Sequence, residues 1–149
     1  MTEKHVILVS IAGPFARSLS EERLETVARR VLEAERAPAC ELSIAVTDDE
    51  TVRALNRQYA GEDAVTDVLS FSQREGEEFV APPEGVPPLG EVVIAYPQAE
   101  RQAAERGHGA EEEVTRLLVH GVLHLLGYDH AEPEEARRMR EREEALVNG

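Results

Sequence analysis

The sequence is short of cysteine, of lysine and of long apolar runs, and each shortage excludes something. Cys40 is the only cysteine among 149 residues. No disulfide can form within the chain, and the expectation is an intracellular, cytoplasmic protein in which Cys40 is a small packing residue. No stretch approaches the roughly 20 apolar residues of a membrane span, so no membrane partner is expected. Residues 1–4 lead into a short apolar run without a cleavage motif, which argues against a secretory signal. Lys4 is the only lysine beside 15 arginines, a ratio read here as genomic base composition rather than function. Basic residues are also few in total, and the formal net charge is −14. That counts against a general nucleic-acid coat, whose footprint is basic. It leaves room for an enzyme with a local basic groove.

What remains is an ordinary globular composition, 42% apolar and 31% charged. The length suits one domain over residues 1–149 with a real core. His5 to Ala12 reads as a strand, broken by Gly13-Pro14. Ser20 is a helix N-cap with Glu21 and Glu22 in the first turn. Leu24, Val27, Ala28, Val31 and Leu32 then keep helical spacing up to Pro38. Glu41 to Val46 alternates as a half-buried strand. Thr47 or Asp48 caps a second helix with Val52, Leu55 and Tyr59 on its inner face, ended by Gly61. Val65 to Phe71 reads as a strand with Val68, Leu69 and Phe71 in the core. Residues 72–88, acidic and rich in Pro and Gly, read as a loop. A strand from Leu89 to Ala95 precedes a third helix with Pro97 in its first turn, ending near Gly107. A fourth helix begins near Ala110, buried by Leu117, Leu118 and Leu125. Pro133 opens a heavily charged fifth, with Ala136, Met139 and Leu146 as its sparse apolar stripe. The expected class is α+β: a small mixed four-stranded sheet packed with about five helices.

Three of the five histidines fall in His120-Gly-Val-Leu-His124-Leu-Leu-Gly127-Tyr128-Asp129-His130. His120 and His124 lie one turn apart on one helix face. Gly127 lets the helix end in a left-handed turn, so that His130 can swing back toward them. Three neutral imidazoles with an open fourth position is the ligand set of a catalytic zinc site. One Zn2+ at the end of this central helix is therefore expected. Such an ion acidifies its bound water toward a pKa of ~7 and polarises a phosphoryl oxygen.

The spacing also matches the metzincin pattern H-E-x-x-H-x-x-G-x-x-H, with one difference. The glutamate that serves those proteases as general base is replaced by Gly121, which argues against peptide hydrolysis. Asp129 reads as part of the turn or as a residue orienting a ligand histidine, with acid–base catalysis the alternative. His108 reads as a surface loop residue and His5 as structural.

The histidine segment closely resembles the signature of the YbeY family, the bacterial rRNA maturation factors. Thr66-Asp67-Val68-Leu69-Ser70-Phe71 resembles that family's second signature, and Leu89-Gly90-Glu91-Val92-Val93-Ile94 its third. Leu55-Asn56-Arg57-x-Tyr59 resembles the helix end before the second. The matches run in family order from about residue 41 to residue 146. The resemblance implies a single-strand-specific metallo-endoribonuclease of 16S rRNA 3′-end maturation and ribosome quality control. It implies zinc on His120, His124 and His130, in a cleft lined by basic residues. Its partners would be rRNA in the small ribosomal subunit, a ribosomal protein and a ribosome-assembly GTPase. The family often has arginine where this chain has Ala60. Arg57 is the nearest replacement as the catalytic contact to the scissile phosphate, against a plain salt-bridge role. Proline is also favoured where Val65 and Ser72 stand.

Asp67, the polar member of its strand, reads as lining the cleft or fixing a backbone amide. Arg53, Arg57 and Arg74 are expected to gather near the cleft if RNA enters there. Two other readings stand beside the nuclease. One is a non-catalytic ribosome-assembly factor with structural zinc, which suits the −14 charge. The other is a zinc protease, which Gly121 disfavours.

Overall fold

The computed structural model describes residues 5–72, 86–128 and 132–148. Its sheet is built from β1 (His5–Ile11), β2 (Cys40–Thr47), β3 (Val68–Ser72) and β4 (Pro88–Ala95), in the order β1-β2-β4-β3. β1, β2 and β4 run parallel, while β3 joins β4 antiparallel and forms one edge. Five α-helices surround it: α1 (Glu21–Ala34), α2 (Asp49–Ala60), α3 (Tyr96–Arg106), α4 (Ala110–Leu125) and α5 (Pro133–Asn148). The mixed sheet and the five helices are those expected from the sequence.

Local chemistry sets the ends of these helices. The Ser20 hydroxyl accepts from the Arg23 amide at 3.2 Å, and the Asp48 carboxylate accepts from the Thr51 amide at 2.7 Å. Each satisfies one of the donors that a helix start leaves without a partner. α2 and α3 end at Gly61 and Gly107, both left-handed. α4 has no side-chain cap, and its first turn carries Glu111, Glu112 and Glu113.

The two faces of the sheet hold different partners. Leu42, Ile44, Val46, Val92 and Ile94 face a large core that includes Leu24 and Leu32 of α1, and Leu118, Val122 and Leu123 of α4. Ala45, Leu69, Phe71, Val93 and Ala95 face the opposite way, onto Val52 and Leu55 of α2. α2 and α4 therefore lie on opposite sides, with β3 as the shared edge. Truncating a fully buried residue of α4 such as Leu118 would cost about 2–5 kcal/mol.

Three expectations need correction. Tyr59 is on the inner side of α2, its ring edge-on to Phe71 of β3 with centroids 5.2 Å apart, but it is not a core residue: it is 63% exposed. β3 is the edge strand of the sheet, and Tyr59 packs at that edge. Asn56 takes the buried slot, its Nδ2 donating to the Ala64 carbonyl at 3.0 Å. β3 begins at Val68 rather than Val65, which is 40% exposed, and its residues are half-buried because an edge strand is covered less completely. The strand after the expected loop begins one residue earlier, at Pro88, whose missing N–H suits a strand start. Residues 73–85 of that loop, Arg74 among them, lie outside the described residues.

The Asp48 cap gives a direct test. Its hydrogen bonds to Thr51 hold the carboxyl below the ordinary value of 3.8. A depressed folded-state pKa contributes stability above that value and loses it as pH falls through the folded-state pKa. Asp48→Ala is expected to cost about 1 kcal/mol at pH 7. In urea titrations the gap to wild type should narrow as pH falls below 3.8 and through the folded-state pKa; a gap independent of pH would contradict the capping role.

Candidate metal centre

α4 carries the site because its backbone lies unusually close to the sheet. At Gly121 a Cβ would stand 2.7 Å from Cγ1 of Val92 and 3.1 Å from Oγ of Ser70. The Ser70 hydroxyl donates to the Gly121 carbonyl at 3.2 Å. Position 121 thus faces β3 and β4 and admits no side chain. Sequence reasoning treated Gly121 as a missing base; the structure shows a packing requirement.

The neighbours of Gly121 present the histidines. His120 is half-buried and His124 is exposed, one turn further along. Leu126 then caps the helix, and Gly127 takes φ 107°, a left-handed value that favours glycine. The Gly127 amide donates to the His124 carbonyl and the Tyr128 amide to the Leu123 carbonyl, both at 3.1 Å. This pair of bonds is a Schellman ending, as the glycine suggested. Asp129 and His130 lie outside the described residues.

His120 is held through one ring nitrogen. Its Nδ1 meets Oε1 of Glu143, a carboxylate on α5 that is mostly shielded from solvent. That hydrogen bond raises the His120 pKa above the ordinary imidazole value. Burial opposes it, and the charges of Glu143 and Asp67 add to the rise. Asp67 accepts from the Val68 amide at 2.8 Å, so it does fix a neighbouring backbone amide.

Behind this contact is a second network. Oε1 of Glu35, the residue after α1, accepts from the Tyr128 hydroxyl at 2.5 Å. Oε2 of the same carboxylate accepts from Nε of Arg142 at 2.8 Å. Between the helix end and α5 lies a cleft of about 250 Å³ lined by Leu126, Gly127, Tyr128, Glu135 and Arg138.

Among the described residues, no three His, Cys, Asp or Glu side chains are arranged to hold a metal. The two described donors nonetheless fit one. In the neutral ring of His120, a proton on Nδ1 facing Glu143 leaves Nε2 as the ligand atom, the usual carboxylate–histidine–metal arrangement.

Of the three arginines expected near the cleft, Arg53 and Arg57 lie on α2 and Arg74 lies outside the described residues. Arg53 forms an ion pair with Asp63 at 2.7 Å. Arg57 is exposed in the last turn of α2, across the sheet from α4. His108 is not a plain surface residue: Nε2 lies 2.6 Å from the fully buried Glu113, and Nδ1 2.9 Å from Glu112. The helix start folds these carboxylates back onto the preceding turn. His5 is structural as expected, with Nε2 2.9 Å from the Ala37 carbonyl. The residues that sequence reasoning missed are Glu143, Glu35 and Arg142; a charge within the apolar stripe of α5 was the available signal.

Comparison with known proteins places this geometry in a family. A family model described as endoribonuclease YbeY matches residues 15–149. The endoribonuclease YbeY of Aquifex aeolicus is 44% identical over 147 residues, covering 98% of this chain and 92% of that protein. That of Desulforamulus reducens is 46% identical over 125 residues, covering 83% of this chain and 82% of its own length. The solution structure of TM1509 from Thermotoga maritima superposes with a TM-score of 0.65 at 26% identity, covering 95% of this chain and 87% of that one.

The seat of α4 is testable by thermal unfolding. Gly121→Ala gains up to about 1 kcal/mol of helix propensity but overpacks against Val92 by about 1–3 kcal/mol, so a net loss of about 1–2 kcal/mol is expected. Gly121→Glu, which restores the protease pattern, should be worse still and yield no peptidase activity. A stable, peptide-cleaving Gly121→Glu protein would refute this account of the position.

Proposed function

The chain belongs to the YbeY family of endoribonucleases, and from that premise we propose that it is a zinc-dependent endoribonuclease acting on single-stranded rRNA. The observation that carries this reading is His120, one turn from His124 and held at Nδ1 by Glu143. His120, His124 and His130 would be the ligands, with residues 1–149 acting as one catalytic domain. The resemblance supplies the finer assignment: 16S rRNA 3′-end maturation and ribosome quality control. It also supplies the partners, namely the small ribosomal subunit, a ribosomal protein and a ribosome-assembly GTPase. Among the described residues no helix is long and apolar enough to cross a membrane; the proposed place of work is the cytoplasm.

When bound, zinc would supply Lewis acidity toward a phosphoryl oxygen and acidify the attacking hydroxyl. The chain's own residues do the rest. Glu143 holds the His120 ring in one tautomer and orientation. β3 pairs on one side only among the described residues, with β4. Its other side is the route by which an extended strand could pass from α4 toward α2. Arg57 would meet a phosphate there and offset the charge that builds on it. Position 121 itself supplies no general base, so the proton would pass to substrate phosphate, bulk water or a carboxylate such as Asp129.

The second reading, an assembly factor with structural zinc, draws on the −14 charge, which suits binding a basic ribosomal protein. A zinc protease has no support at position 121, where a glutamate cannot fit.

Cleavage of single-stranded RNA by purified protein, with zinc and after chelation, separates these readings. Activity should need metal and fall by about two orders of magnitude or more in His124→Ala. Arg57→Ala should lower kcat/KM by about 100-fold; a change within twofold would leave Arg57 a surface residue. If His124→Ala lost zinc yet restored rRNA processing in a deletion strain, the assembly-factor reading would replace the enzyme. A 2′,3′-cyclic phosphate product would identify the 2′-hydroxyl as nucleophile.

A further inference from the structure

α5 is almost entirely polar, yet three of its residues turn inward along one stripe. Met139 and Leu146 are buried in the main core. Glu143 falls four residues after the first and three before the second, on the same face. A carboxylate in such a stripe costs desolvation unless a partner is provided. Its partner is Nδ1 of His120.

The adjacent residue is fixed as well. Arg142 pairs with Glu35, which also accepts from Tyr128, the residue that follows the Gly127 turn. One turn further along α5, the Leu146 carbonyl accepts from Nη2 of Arg30 at 2.7 Å. α5 is thereby tied to α1 and to the histidine segment through Arg142, Glu143 and the Leu146 carbonyl. Its backbone has little freedom to carry Glu143 away from the imidazole.

The geometry points to Glu143 as a positioning residue: it fixes His120 for metal binding, so the last helix completes a site whose expected ligands all precede it. This rests on the zinc reading above. Its chemistry is that of a carboxylate accepting from a ligand histidine, which locks the tautomer, aims Nε2 and makes that nitrogen a better donor. A glutamine in its place can still accept a hydrogen bond but brings no charge. The inference therefore concerns the carboxylate, not merely a polar side chain of that length.

Zinc affinity, measured by competition with a chromogenic chelator, reads this without reference to activity. Wild type should bind one zinc ion, and His124→Ala should not. Glu143→Gln should bind about tenfold more weakly and Glu143→Ala between 10- and 100-fold more weakly. Melting temperatures of the metal-free variants check that each is folded. Glu35→Gln loosens the docking of the same helix without touching His120. It should lower the melting temperature while leaving zinc affinity within about threefold. If Glu143→Gln bound zinc as tightly as wild type, or if Glu35→Gln weakened binding equally, Glu143 would be a docking contact and the assignment would fail. If wild type itself bound no zinc, the fault would lie in the metal reading.

Discussion

The closeness of α4 to the sheet at Gly121 is the constraint on which the site depends. A methyl group there would already collide with Val92, a buried β-branched residue with little freedom to turn aside. Glycine in a helix interior is unfavourable by about 1 kcal/mol relative to alanine. The helix offsets that by burying Val114, Leu118, Val119, Val122 and Leu123 in the main core. Backbone contact with β3 and β4 sets both the height and the rotation of the helix. Those two quantities decide where its next side chains emerge. His120 comes out half-buried and His124 exposed, at the side of the sheet where β3 forms the edge.

A second constraint is the pairing of buried charge around that helix end. Glu35 and Glu143 are each shielded to a degree that would be costly for a lone ion, and the half-buried Arg142 closes one of the pairs. They are tolerated because each carboxylate has a partner. Removing one member leaves the other desolvated, so the cost of breakage exceeds what the pair adds. The exposed pairs Arg53–Asp63 and Arg137–Glu134 belong to a different class, worth less than about 1 kcal/mol each. Counting ion pairs would equate the two kinds; burial separates them. The buried set joins three segments distant in sequence, the end of α1, the histidine turn and α5, into one polar layer behind the histidines.

Much of this was legible in the chain. Helix starts announced themselves at Ser20 and Asp48, and helix ends at Gly61, Gly107 and Gly127, because caps are local chemistry with few solutions. Core residues of α1 and α4 followed from periodicity. What could not be read depended on where one element stops relative to another. Tyr59 keeps helical spacing with Val52 and Leu55, but periodicity does not reveal that it meets only the edge strand, through Phe71, and stays 63% exposed. His108 and Glu113 pair across a turn whose direction no local signal fixes. Glu143 was hidden among the many charges of α5, although its place between Met139 and Leu146 was the clue. The histidine spacing suggested a ligand set, and the structure adds what spacing could not: the carboxylate behind His120.

The charge balance of the chain bears on how such a site would handle RNA. With a net charge of −14, long-range attraction for a polyanion is absent, and screening confines any local effect to within about 8–10 Å at ordinary ionic strength. The immediate surroundings of His120 are also negative, since Glu143 and Asp67 both act on it. Such a pocket favours a cation and repels a phosphate. On the proposed reading the bound cation reverses that preference, so that phosphate affinity would be confined to the metal and to Arg57. Arg53, already paired with Asp63, adds little to it. On that same proposed reading, selectivity would come from denying RNA a general footing, with rRNA brought to the site by the ribosomal particle. An acidic chain is in that light consistent with nuclease chemistry, because it restricts the chemistry to substrate that is delivered.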